Sequence, residues 1–65
     1  MLTGTVSDFD PAKGLGTVTD DTGTSFMFHV IEIADGTRSV CVGQRVSFQP
    51  LAKFGRFQAG KIRRR

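Results

Sequence analysis

The sequence predicts an all-β domain, a small closed or nearly closed barrel of five strands. Apolar residues recur in short alternating segments with no sustained helical period, and turn residues punctuate them every few positions. The 65 residues are too few for two packed sheets with much core, whereas one sheet closed on itself shares a core and removes exposed edges.

Leu2 to Phe9, rich in Thr and Val, reads as the first strand. Asp10-Pro11-Ala12-Lys13-Gly14 ends it, because Pro presets φ for a turn and Gly tolerates a positive φ. Leu15 to Thr19 is the second strand, with Leu15, Thr17 and Thr19 on one face and Gly16 and Val18 on the other. Asp20-Asp21-Thr22-Gly23 is a hairpin signal. The third strand, Thr24 to Val30, places Phe26, Phe28 and Val30 on one face and Met27 and His29 on the opposite one. Ile31 to Ala34 fits a single helical turn before an Asp35-Gly36 loop. Gln44 to Gln49 is the fourth strand, with Val46 and Phe48 inward and Pro50 either stopping it or marking an edge. Lys53 to Gly55 is a loop, and Arg56 to Ile62 is the fifth strand. The expected core is Val6, Val18, Phe26, Phe28, Ile33, Val46, Phe48 and Ile62, with Gly16 and Gly60 at inward positions where a wall bends tightly.

Charge and composition narrow the function. The net charge of +3 is unevenly distributed: residues 1–35 hold one lysine and six acids, a net −5, whereas residues 36–65 hold eight basic side chains and no acid, +8. Such asymmetry points to a polyanion-facing surface. The one cysteine, Cys41, allows no internal disulfide and reads, between Val40 and Val42, as a small buried hydrophobe. No Cys/His cluster suits a metal, and no nucleophile–base set supports catalysis, so neither cofactor nor enzyme activity is expected. The longest apolar-rich stretch, Phe26 to Ile33, is too short to span a bilayer, and the N-terminus has no signal-peptide pattern. A cytoplasmic protein, monomer favoured, is expected.

Five motifs in order carry a resemblance over essentially the whole chain: Gly4-Thr5-Val6, Pro11 to Gly16, Phe28-His29, Gly43 to Phe48, and Gln58-Ala59. Together they resemble the bacterial cold-shock domain. The resemblance implies a five-stranded antiparallel Greek-key barrel of the oligonucleotide-binding (OB) class, over residues 1–62 with a basic tail at 63–65. It also implies binding of single-stranded RNA or DNA through bases stacked on aromatics of the first three strands.

Most of that aromatic platform is replaced here. The family's strand-one Trp matches Asp8, the two rings of Lys-Gly-Phe-Gly-Phe match Leu15 and Thr17, and the middle Phe of Val-Phe-Val-His matches Met27. The aromatic often found after that His matches Val30. Phe9, Lys13 and His29 remain as binding candidates. Stacking contributes about 1–3 kcal/mol per base, so these replacements predict weak, salt-dependent binding. Compensation is expected from Lys53-Phe54-Gly55-Arg56-Phe57, where rings alternate with cations, and from Arg38. Phe54, Arg56 and Phe57 therefore join the candidate site, although both rings also suit anchors at a barrel end. Arg63, Arg64 and Arg65 read as a mobile tail that attracts phosphate. The alternative function is a protein-interaction or regulatory module using the exposed Leu15, Thr17, Met27 and Val30 surface.

Overall fold

The structure, a computed structural model, describes residues 1–33, 40–53 and 56–65, with the side chains of all of these except 52, 53 and 56. Five strands are present: β1 Leu2–Asp10, β2 Leu15–Asp20, β3 Ser25–His29, β4 Arg45–Lys53 and β5 Arg56–Arg64. They close into a barrel in the order β1-β2-β3-β5-β4. β3 meets β5 in parallel, and the other neighbours are antiparallel.

The eight expected core residues lie inside, seven of them on strands and Ile33 just beyond β3, joined by Val40 and Ala59. Phe26 tilts against Phe48 with ring centroids 5.0 Å apart. Gly16 is a tight approach, as its position suggests: a Cβ there would overlap the Phe28 ring and lie 2.8 Å from the Asp8 carbonyl oxygen. At Gly60 a Cβ would instead press on Leu51.

A bulge at Ser7 decides which side chains of β1 reach the core. Val6 pairs with Val18, but Asp8 pairs with Thr17, so one extra residue reverses the alternation. Asp8 and Asp10 therefore face out, while Phe9 opposes Gly16 and stacks on Phe28, ring planes 5° apart. Without the bulge, the two carboxylates would point into an apolar interior, which burial of an unpaired charge makes prohibitive.

Several expectations change. β3 ends at His29, and the helical turn is a 3₁₀ turn at Val30–Glu32, so Val30 packs against the core instead of continuing the strand. Pro50 does not stop β4, which pairs it with Ala59 and runs on to Lys53. β1 pairs with β4 only as far as Phe48, so Pro50 marks an edge where no ladder donor is required. Cys41 is exposed, not buried: Val40 alone of that trio enters the core. Arg63 and Arg64 are not a tail, because β5 pairs them with Ser47 and Val46, and the Arg65 N–H donates to the Arg45 carbonyl at 3.0 Å.

Candidate nucleic-acid interface

The outward residues of β1, β2, β3 and β5 form two cross-strand rows. Asp8, Thr17, Met27 and Gln58 lie side by side across the four strands, and Asp10, Leu15 and His29 form the row beside them. Two shallow depressions follow this surface. One, of about 230 Å³, is lined by Asp8, Asp10, Lys13, Leu15, Gly16, Thr17 and Met27. The other, of about 300 Å³, is lined by Thr17, Ser25, Met27, Phe57 and Gln58. Thr17 and Met27 belong to both, so the two adjoin along one furrowed face of the barrel.

Phe57 supplies the ring of this furrow. It meets Phe26 in a T-shaped contact, ring centroids 5.9 Å apart, yet 62% of its surface remains exposed. The ring is thus both an anchor on the barrel and an open aromatic face. Met27, 42% exposed, offers a polarisable thioether beside it. Gln58, Thr17 and Ser25 bring an amide and two hydroxyls, which donate and accept hydrogen bonds and so can meet the edge of any base.

The other end of the furrow is acidic. Asp8 and Asp10 outnumber Lys13 there. Asp10 also holds its own turn, its Oδ1 accepting from the Ala12 and Lys13 N–H groups at 3.1 and 3.3 Å, which fixes the Lys13 backbone. Gly14 completes the turn at φ +68°, a conformation open to glycine at little cost.

Among the residues expected to bind, Phe57 and Lys13 line the furrow at opposite ends. His29 is exposed beside Leu15 in the adjoining row. Phe9 is half-buried against Phe28 and lines neither depression. Arg38, Phe54 and the Arg56 side chain lie outside the described residues. Of the surface considered for a protein partner, Leu15, Thr17 and Met27 adjoin one another, but Val30 turns to the core. Ser25 and Gln58 were not legible as site residues. The parity of β3 puts Ser25 with Met27, but the meeting of Gln58 with Met27 requires the parallel β3–β5 pairing.

Among the described residues, no group of three or more His, Cys, Asp or Glu side chains is placed to hold a metal ion, and no helix is long and apolar enough to cross a membrane.

The chain is 43% identical over 51 residues to the cold shock-like protein CspA of Stigmatella aurantiaca, covering 75% of each chain. Its fold matches the drosophila Unr CSD456 structure with a TM-score of 0.82 at 23% identity over 98% of this chain. It spans about a quarter of that longer chain, 26%, and the likeness there is one of fold. No protein-family model matches the sequence.

Proposed function

The chain belongs to the cold-shock domain family, and we propose that it binds single-stranded RNA or DNA in the cytoplasm, weakly and with strong salt dependence, through a site recentred on Phe57. The observation that carries this reading is the exposed Phe57 ring beside Met27, Thr17 and Gln58, where β5 meets β3. A base laid on the ring gains stacking, and the neighbouring amide and hydroxyls satisfy its edge without selecting one base. Affinity is low because Asp8, Leu15, Thr17 and Met27 supply no rings and the two aspartates repel phosphate. Binding, not catalysis, is the role.

Titration of labelled oligo-dT and oligo-rU at low and moderate salt tests the proposal. Loss of one stack worth about 1–3 kcal/mol should weaken binding of Phe57→Ala by about 5- to 150-fold. Equal affinity in the parent and the variant, or no binding by the parent at low salt, would refute it.

A further inference from the structure

The acidic end of the furrow raises the question of where a bound strand's phosphates find positive charge. Arg45, Arg63 and Arg65 are exposed on the outer surface of β4 and β5, away from the furrow. They stand in two cross-strand rows. Arg65 lies opposite Arg45, which in turn pairs with Thr5, while Arg63 pairs with Ser47, which pairs with Thr3. The hydroxyls form a half-buried floor: Arg45 Nη1 donates to Thr5 Oγ1 and Arg65 Nη1 donates to Thr3 Oγ1, both at 3.1 Å. Asp21 reaches this surface and forms a forked pair with Arg45 through Nη1–Oδ1 at 2.8 Å and Nη2–Oδ2 at 3.2 Å, and Glu32 accepts from the Lys61 N–H of β5 at 3.3 Å.

We infer that this arginine face is a phosphate-backbone contact surface, and that β5 is the track joining it to the base site at Phe57. The inference rests on the nucleic-acid reading proposed above. Phe57 lies at the start of β5 and Arg63 six residues further on, a span of at most about 20 Å because a bulge with Lys61 at φ +50° interrupts the strand between them. Lys61 is exposed between them. Arg63 and Arg65, two residues apart on an extended chain, hold their Cα atoms about 7 Å from one another. Because β-pairing fixes their backbone, less conformational entropy is lost on binding than from a mobile tail. A guanidinium fork meets phosphate oxygens two at a time, which a hydroxyl floor complements. The Asp21 pair orients Arg45 while cancelling much of its charge, so Arg63 and Arg65 carry most of the attraction.

The test compares the parent, Phe57→Ala and the double variant Arg63→Gln/Arg65→Gln with a trinucleotide and a decanucleotide of thymidine across a salt series. Each lost phosphate contact on a single strand lowers the log–log salt slope by about 0.7, so the double variant should lose about 1.4 on the decanucleotide. On the trinucleotide, too short to reach both ends of β5, it should match the parent, whereas Phe57→Ala should weaken both ligands. An unchanged slope on the decanucleotide while Phe57→Ala still weakens binding would overturn the track and leave the base site standing. An equal loss on both lengths would reduce the arginines to a diffuse field and overturn it as well. Absence of any binding by the parent at low salt would overturn both readings together. Circular dichroism melting of the double variant checks that the barrel is retained.

Discussion

Replacing Gly16 with alanine places one methyl group where the Phe28 ring lies. A Cβ built there overlaps two ring carbons and stands 2.8 Å from the Asp8 carbonyl oxygen, so the ring must move and has little space to enter. Phe28 is 1% exposed and is stacked on Phe9 at a centroid distance of 6.1 Å. Backbone strain is not the issue, because Gly16 is not among the positive-φ glycines. Overpacking a core costs about 1–3 kcal/mol. Alanine restricts the unfolded chain and offsets about 0.4–1 kcal/mol of that. The net destabilisation is about 1–2 kcal/mol, against a total stability of about 3–10 kcal/mol for a chain of this size. Such a change lowers Tm by about 5–15 °C. Thermal and urea melts followed by circular dichroism measure it, and a second substitution isolates the cause. Phe28→Leu removes the atoms that the new methyl meets, so Gly16→Ala should cost less in the Phe28→Leu background than alone. Equal stability of Gly16→Ala and the parent, or strict additivity in this cycle, would refute the packing argument.

Two further outcomes follow from surface features, alongside those stated above for Phe57→Ala and the arginine pair. The Asp20 carboxylate accepts from the Thr22 hydroxyl at 2.7 Å and from the N–H groups of Thr24 and Thr22 at 2.8 and 3.0 Å. Led by the Thr22 hydroxyl, these bonds hold its carboxyl below the usual aspartate range. Its contribution is therefore complete above the unfolded value of about 3.9 and is lost as pH falls through the lower folded value. Asp20→Asn should flatten the fall of Tm below about pH 4, and an acid limb as steep as the parent's would count against this account. Cys41, exposed in the native fold, should react with Ellman's reagent at nearly the rate of the urea-unfolded chain. Strong protection of the native thiol would contradict its placement.

The limits of sequence reading are visible residue by residue. Alternation alone identified Val6, Val18, Phe26, Phe28, Val46 and Phe48 as core, because burying one face of a strand leaves a period of two in the chain itself. The same logic failed at Cys41, where three adjacent apolar residues carry no period and only Val40 turns inward. It failed again at the C-terminus. A run of three arginines reads as solvated whether or not it is paired, and the pairing of Arg63 with Ser47 is made by a partner strand distant in sequence.

What the sequence determined by itself was the strand content, the inner face of each wall and the unequal distribution of charge. All three depend on residue type and on neighbours a few positions away. Tertiary structure decided the rest. The bulge at Ser7 turns Asp8 and Asp10 outward and sends Phe9 to the core. The parallel meeting of β3 and β5 sets Gln58 beside Met27 and brings Phe57 to the furrow, with some 30 residues of chain between the two strands' partners. The β4–β5 ladder turns a basic chain end into a patterned arginine face. Each of these depends on how one strand pairs with another, a condition that strands satisfy jointly and that no window within a single strand encodes.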